Sequence, residues 1–239
     1  MNANPKMGIC MPKIRSAYST NSFEYAGASG GFIDYMGYPF CRGRILSSLE
    51  RDEGQYDQPV EIFWASGAAM MIRSSLFWEL GGFDDRFFAH MEEIDLCWRA
   101  KQLGWQVWVI PESMVYHVGG GTLPNNSPGK LYLNFRNNLI MLYKNLPETR
   151  LYITFIIRLM MDAAAAAIFL ISFRFAYFNS VIRAYRDFFR QKPAIKRDSR
   201  MVNKKLSGIY RGSIVLSFFL RGTRLRFFDI GADITGADQ

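Results

Sequence analysis

Cysteine is scarce in this chain, and its first residues show no targeting segment. The three cysteines, Cys10, Cys41 and Cys97, are odd in number and lack the paired spacing of zinc motifs. This pattern argues against a disulfide framework and predicts reduced thiols in a cytoplasmic protein. The opening stretch MNANPKMGICMPKIR contains no apolar core, so we expect no signal peptide. Internal repeats are absent, and low complexity is limited to one run of alanines.

Charge is distributed unevenly along the 239 residues. Residues 1–149 contain 13 Lys and Arg against 15 Asp and Glu, whereas residues 150–226 contain 16 against 3. The net charge of +8 therefore comes from the C-terminal part. Such a basic region suits an anionic membrane surface or nucleic acid, and a solvated helical surface is an equally simple interpretation. Because no nucleic-acid-binding motif accompanies it, we expect no nucleic-acid partner.

Hydrophobic periodicity predicts short strands and longer helices. The predicted strands are residues 8–14, 60–64, 67–73, 105–110 and 114–118, with proline expected to end the first at Pro12 and the fourth before Pro111. The predicted helices are residues 74–80 with Ser74 as N-cap, residues 92–103 and residues 131–146. Residues 16–59 show no sustained period and predict a long loop.

Residues 151–172 are the transmembrane candidate in this sequence. Arg158 and Asp162 lie in the middle of the segment, and each would cost roughly 2.5–3.5 kcal/mol at a bilayer centre. They are four residues apart, so they can pair on one helix face. The apolar run after Asp162 is too short to span, and the following segment interleaves Arg with Phe and Tyr. We therefore expect an interfacial or domain-packed helix rather than a spanning one.

Acidic residues cluster at the predicted start of the helix at residue 92. Glu92, Glu93 and Asp95 fall in its first turn, where carboxylates oppose the positive end of the helix dipole and can be purely structural. Asp84 and Asp85 precede them in a turn that can bring further negative charge near the helix start. That crowding favours a raised carboxylate pKa, which is useful in a general base.

His117 is the candidate metal ligand. A lone histidine is more often a satisfied core or turn residue, but this one precedes a run of three glycines at residues 119–121. Glycine lets the backbone approach a ligand closely, and neutral imidazole is a common metal ligand.

A series of residues from Ser66 to Thr122 resembles the catalytic region of family 2 glycosyltransferases, notably the rhamnosyltransferase-like branch. The matching positions are Ser66-Gly67-Ala68, Arg73, Phe77, Gly81 to Asp85, Phe87-Phe88, Glu92 to Leu96, Arg99, Gly104, Pro111, Val115, His117, Gly119-Gly120 and Thr122. The later Arg136-Asn137-Asn138 also looks similar to membrane-associated members. The implied fold class is α/β, an incomplete GT-A (Rossmann-like) domain.

The resemblance implies an inverting glycosyltransferase with a carboxylate base on this helix. Glu93 matches the base position, where the family usually has Asp, with Asp95 as the alternative and Glu92 in support. The resemblance also implies a divalent metal, Mg²⁺ or Mn²⁺, held in part by His117. The implied acceptor- and donor-binding residues are Trp64, Ser66, Gly67, Ala68, Asp84 and Arg99.

The family also has an N-terminal nucleotide-binding half with an Asp-x-Asp motif, and no such motif precedes Glu92 here. We therefore expect residues 1–148 to be the C-terminal half of a catalytic domain, and residues 149–239 to be a helical, basic, membrane-peripheral tail. The expected donor is a nucleotide-diphosphate sugar, and the acceptor a glycan or lipid-linked glycan at the inner face of a bacterial membrane. Without the other half we expect the chain to be inactive, or active only with a partner that supplies that half. A non-catalytic glycan-binding or partner module is the alternative.

Overall fold

The computed structural model describes residue 1 and residues 3–119, 127–197 and 206–236. Its strands are β1 (Met7–Ser16), β2 (Gly31–Asp34), β3 (Pro39–Cys41), β4 (Arg44–Ile45), β5 (Ser48–Leu49), β6 (Val60–Ile62), β7 (Met71–Ile72), β8 (Gln106–His117) and β9 (Ile209–Tyr210). Its α-helices are α1 (Ser74–Glu79), α2 (Glu92–Gln102), α3 (Pro128–Asn145), α4 (Glu148–Ile171), α5 (Phe175–Gln191) and α6 (Ile214–Arg221). The fold is mixed α/β.

The chain divides into two compact units. Unit 1 comprises Met1–Phe83, Leu96–Gly119 and Val202–Gln239, and unit 2 comprises Asp84–Asp95 and Gly120–Met201. The predicted boundary after residue 148 does not coincide with this division. The reason is long-range pairing, because β9 lies parallel to β2 and so joins the last part of the chain to unit 1.

Unit 1 contains a four-stranded sheet in the order β6-β8-β1-β7. The two long central strands, β1 and β8, are parallel, and the short outer strands are antiparallel to them. Alternate apolar side chains of β1 and β8 are buried and form the core of this unit together with residues of β6 and α2. The core residues are Ile9, Met11, Ile14, Ile62, Leu96, Ala100, Val107 and Val109.

Proline does not end the strands of this sheet, contrary to prediction. β1 continues through Pro12, and β8 joins the two predicted strands on either side of Pro111. The register between the strands shifts at this level, where Pro12 pairs with Ile110 and Lys13 pairs with Met114. A β-bulge tolerates proline because residues inside it donate no ladder hydrogen bond. The two prolines therefore mark an irregularity within one parallel pair.

The predicted loop at residues 16–59 contains four short strands, which corrects the sequence-based expectation. β2 to β5 form an antiparallel meander, and β9 completes a five-stranded sheet in the order β5-β4-β3-β2-β9. The strands are two to four residues long, so none shows a readable alternation. Close packing explains Gly31 in β2, because a Cβ there would meet the Trp64 ring at 2.1 Å.

Two smaller expectations also need correction. The predicted strand at residues 67–73 is reduced to β7, because a turn occupies the residues before it. Ser74 is the first residue of α1 rather than its N-cap, which is Arg73. Helices α2 and α3 form within a few residues of their predicted bounds, since their apolar spacing spans several turns.

Unit 2 is built around the helices α3, α4 and α5. Helix α5 packs against both α3 and α4. The buried apolar side chains of these helices include Leu139, Ile140, Leu142, Leu151, Val181, Ala184 and Phe188. Arg158 and Asp162 of α4 are each 2% exposed and form the predicted ion pair, with Nη2 3.4 Å from Oδ2. The Tyr185 hydroxyl on α5 donates to the same Asp162 oxygen at 2.8 Å. These charges therefore face protein.

Helix α4 exposes a broad apolar surface on its other side. The exposed residues include Ile153, Ile156, Leu159, Met160, Ile168 and Ile171. Of the helices in the described ranges, only α4 has the length and apolar composition to cross a bilayer. A core helix of a water-soluble protein can meet the same two criteria.

Candidate active site

Glu92 and Glu93 are the first two residues of α2, and one carboxylate oxygen of each has no hydrogen-bond partner among the described residues. Glu92 and Glu93 are half-buried, yet Oε2 of each is shielded from solvent and unpaired within the described residues. An unpaired buried carboxylate oxygen is costly unless the group is protonated or a ligand uses it. The first turn of α2 therefore contains two buried acceptor atoms whose hydrogen-bonding capacity is not used by the described residues.

The electrostatics of the pair favour a protonated glutamate at neutral pH. Burial, followed by repulsion from the Glu92 carboxylate, raises the pKa of Glu93 to about 8. Backbone N–H groups at the helix start oppose this shift without cancelling it. Burial also raises the pKa of Glu92. The raised carboxylate pKa expected in this cluster holds for both glutamates, with burial rather than the charge of Asp84 and Asp85 as the main cause.

Two further acids of the cluster, Asp84 and Asp95, pair with a buried lysine. Lys144 of α3 lies 2.5 Å from Asp84 Oδ2 and 2.9 Å from Asp95 Oδ2. Asp95 is fully buried and also accepts a hydrogen bond from Asn145 at 2.8 Å. Burial would raise the pKa of Asp84, but hydrogen bonds from Arg86 and Lys144 outweigh it and hold that pKa well below its usual range. This pairing favours structural roles for Asp84 and Asp95.

The loop before the glutamates is clamped by the Arg136-Asn137 segment of α3. The Asn137 amide is fully buried and donates to the carbonyls of Phe87, Ala89 and His90 at 2.9, 2.8 and 2.7 Å. Arg136 Nη2 donates to the Phe87 carbonyl at 3.1 Å. The family resemblance includes this segment but implies no role for it. Its function in the structure is to fix the backbone that leads into α2.

The clamped loop has an unusual backbone. Phe88, His90 and Met91 have φ values of 62°, 69° and 76°, a left-handed region that non-glycine residues rarely adopt. Strain of this kind persists only where surrounding contacts enforce it, and it concentrates at functional sites. Here the hydrogen bonds from α3 supply that enforcement immediately before Glu92.

His90 is a site residue that the sequence reasoning missed. Its Nε2 is buried and unpaired within the described part of the chain. Burial, and secondarily the charge of Lys130, lower the pKa of His90, so the imidazole is neutral at pH 7. The sequence feature that could have identified His90 is its position two residues before Glu92. His90 adds a polar group without a partner beside the glutamates.

His117, the predicted metal ligand, ends β8 in unit 1. Its Nδ1 lies 3.3 Å from Glu24 Oε2. These two side chains would offer at most two ligands, and the described residues contain no group of three or more His, Cys, Asp or Glu suited to a metal ion. The described residues therefore do not form a metal site by themselves. Gly120 and Thr122 of the motif, and Gly121 between them, lie outside the described residues.

The predicted binding residues in unit 1 are mostly engaged in folding contacts. Trp64 is buried and donates from Nε1 to the Phe32 carbonyl at 2.9 Å. Ser66 is buried and donates to the Ala26 carbonyl. Gly67 and Ala68 form an exposed turn. Of these predicted residues, Gly67 and Ala68 are exposed enough to contact a substrate.

Arg99 has a clear structural role within unit 1. Its guanidinium donates to the carbonyls of Leu80 at 2.6 Å and Gly82 at 2.9 Å. These bonds tie the turn after α1 to the second half of α2. The glycine has a φ of 70°, so the turn needs glycine at this position.

The sequence is similar to those of several known enzymes. No protein-family model matches it. It is 31% identical over 117 residues to the N-acetylglucosaminyl-diphospho-decaprenol L-rhamnosyltransferase of Mycobacterium tuberculosis, covering 47% of this chain and 38% of that protein. It is 26% identical over 150 residues to the low-salt glycan biosynthesis hexosyltransferase Agl10 of Haloferax volcanii, covering 57% and 48%.

A third similarity is with the rhamnosyltransferase WbbL of Escherichia coli, at 35% identity over 54 residues, covering 23% of this chain and 20% of that protein. The matched regions thus span less than half of each of these relatives. All three are named as rhamnosyl- or hexosyltransferases. The chain is therefore a relative of the family 2 glycosyltransferases.

Proposed function

We propose that this chain contributes the base-carrying part of an inverting glycosyltransferase. The sugar comes from a nucleotide-diphosphate donor and is transferred to a hydroxyl of a glycan or lipid-linked acceptor. The observation that carries the proposal is Glu93, with its buried unpaired oxygen and raised pKa at the start of α2. The named activities of the relatives support the reaction class.

The reaction is a single displacement. The Glu93 carboxylate accepts the proton of the acceptor hydroxyl as the hydroxyl oxygen attacks the anomeric carbon. The bond from that carbon to the donor phosphate breaks on the opposite face, so the configuration inverts and the nucleoside diphosphate leaves. Glu93 then releases its proton to solvent. A base is most effective when its pKa lies near the working pH, which the environment of Glu93 provides.

Other residues of the chain fix the position of Glu93, the proposed base. Asn137 and Arg136 fix the strained loop, and Lys144 anchors the first turn of α2 through Asp95. Positioning of this kind matters because a displacement of about 1 Å can cost 10²-fold in rate. Glu93 remains our proposed base, since Asp95 is already occupied by Lys144 and Asn145.

The divalent metal stays an expectation taken from the family resemblance. When bound, such an ion would supply positive charge to the leaving diphosphate. His117 would offer one ligand, but the described residues do not complete a site. We propose that transfer also requires a nucleotide-binding part that supplies further ligands, on the same polypeptide or on a partner.

We also propose that the protein acts at the cytoplasmic face of a membrane, with α4 and α5 on the bilayer surface. The exposed apolar side chains of α4 suit the acyl boundary. Helix α5, packed on α4, carries the exposed residues Arg183, Arg186 and Arg190. Arginines on this helix are costly inside hydrocarbon and favourable at anionic headgroups, which supports a surface location over a spanning one.

A transfer assay tests the proposed function. The protein is expressed from the complete reading frame that contains this chain, and is supplied with nucleotide-diphosphate sugars, rhamnose donors among them. The acceptors are a lipid-diphosphate-linked N-acetylglucosamine and a free oligosaccharide. We expect transfer with at least one pair, and NMR of the product should show an inverted anomeric configuration. Retained configuration would overturn the mechanism, and glycan binding without transfer would favour the non-catalytic module.

A further inference from the structure

The strongest unassigned feature is a groove in unit 2 between the start of α4 and the end of α5. It has a volume of about 330 Å³, at the lower end of the range for small-molecule sites. Its walls are mainly apolar and aromatic, and the residues that carry the argument are Tyr143, Leu151, Phe155, Leu159, Phe188 and Lys192. None of these residues belongs to the proposed base or its clamp.

One end of the groove is cationic. Lys192 Nζ and the Arg197 guanidinium lie 5.3 and 5.6 Å from the centre of the Tyr143 ring. Among the described residues neither cation lies within ion-pair distance of a carboxylate, and Arg197 Nη2 donates to the Leu146 carbonyl. Glu148 also lines the groove and offsets one of the two charges. The groove therefore combines an apolar channel with a net positive mouth.

The apolar channel continues onto an exposed surface. Leu159 and Ile156 line the groove and are still 53% and 56% exposed, whereas Phe188 at its floor is buried. A ligand with one long apolar chain can thus occupy the groove and extend along α4. A rigid polar sugar would leave its hydroxyls unpaired against these walls, so the groove does not suit the transferred sugar itself.

We propose that this groove binds the isoprenoid chain of a lipid-linked acceptor, with its phosphate at Lys192 and Arg197. The proposal rests on the proposed glycosyltransferase function, whose acceptor class it specifies. Anionic phosphate complements the cationic mouth, and the branched apolar chain complements the aromatic walls. A groove of this size takes a short stretch of chain beside the phosphate, and the remainder lies along α4 or in the bilayer.

The test measures binding of farnesyl phosphate to the full protein by calorimetry, below the concentration at which the lipid forms micelles. Leu159→Trp fills the groove from its exposed rim, and Leu170→Trp makes the same change at an exposed α4 position outside it. Lys192→Glu reverses the charge at the mouth, and Lys6→Glu makes the same change at an exposed position of unit 1. We expect Leu159→Trp and Lys192→Glu to raise Kd at least tenfold and the two controls to leave it unchanged.

Two further ligands separate the contributions of chain and phosphate. Farnesol and inorganic phosphate should each bind at least tenfold more weakly than farnesyl phosphate. Parental affinity in Leu159→Trp, or equal affinity for inorganic phosphate, would overturn the proposal. Equal losses of farnesyl phosphate affinity in Leu159→Trp and Leu170→Trp, together with loss of binding to phosphatidylglycerol vesicles, would also overturn the proposal. Helix α4 would then be a general contact with the bilayer. Binding requires no donor and no base, so intact binding without transfer would overturn the proposed function alone.

Discussion

We expect Glu93→Gln to lower kcat for sugar transfer by about 10²–10⁴-fold, the usual contribution of a positioned general base. Glutamine keeps the size of the side chain but accepts no proton at neutral pH. The loss should appear in kcat rather than in the KM of the donor, because the carboxylate acts on the acceptor hydroxyl in the transition state. Steady-state kinetics on the protein from the complete reading frame measure this effect.

Glu79→Gln is the matched control, because it makes the same change at an exposed position at the end of α1. It should leave kcat within a factor of two of the parent. Thermal unfolding distinguishes a chemical effect from a folding defect. Glu93→Gln should be at least as stable as the parent at pH 8, since the amide removes a buried charge. Full activity of the folded variant would remove Glu93 from the mechanism.

We expect Lys144→Met to lower the free energy of unfolding by about 3–5 kcal/mol, the cost of breaking a buried ion pair. Methionine preserves most of the apolar stem of the side chain but lacks the Nζ that lies 5.3 Å from the centre of the Phe87 ring. The variant leaves the Asp84 and Asp95 carboxylates without their shared cation. Urea unfolding followed by tryptophan fluorescence measures the difference.

Lys196→Met serves as the control at an exposed position and should change stability by less than about 0.5 kcal/mol. Adding Asp95→Asn to Lys144→Met should restore part of the loss, because it removes one stranded charge. The pKa of Asp84 is lowered in the folded state, so its contribution is present at neutral pH and is lost on acidification. The difference in the free energy of unfolding between variant and parent should therefore become smaller as pH falls below about 4. A gap that is independent of pH would contradict the charge-based account.

Local patterns predicted the helices that form the proposed site. The apolar spacing of α2 and α3 extends over several turns, which is long enough for periodicity to be decisive. The pairing of Arg158 with Asp162 followed from their spacing on one helix and is confirmed. The glutamates at the start of α2 were identified by residue type and resemblance, and the structure adds the burial that raises the pKa of Glu93.

Long-range pairing could not be predicted from the sequence. Lys144 lies 49 residues beyond Asp95 in the sequence, and no local pattern marks it as the partner. The same holds for Asn137, whose three carbonyl acceptors lie in a loop nearly 50 residues earlier. Likewise, β9 joins the sheet of β2 across more than 170 residues. Such contacts depend on tertiary structure, so residue spacing leaves them unspecified.

The sequence pattern predicted strand ends at proline that do not occur, and it missed the short strands β2 to β5. Both errors have local reasons. Pro111 lacks a backbone N–H and normally signals the end of a strand, but the bulge in β8 needs no donor there. The strands β2 to β5 are too short for alternation to register. In both cases the pairing partner, rather than the strand sequence itself, determines the structure.

The pH dependence of kcat/KM in the parent and in Glu92→Gln tests the central claim most directly. If Glu93 is the base, kcat/KM rises with pH as its carboxyl loses a proton, along a limb with an apparent pKa near 8. Because the two glutamates interact, this value belongs to the pair. Glu92→Gln removes the repulsion between them, so the limb should move to lower pH while staying above the ordinary glutamate range, since burial remains. A profile that is flat from pH 5 to 9, or a limb that stays in place in Glu92→Gln, would contradict the account.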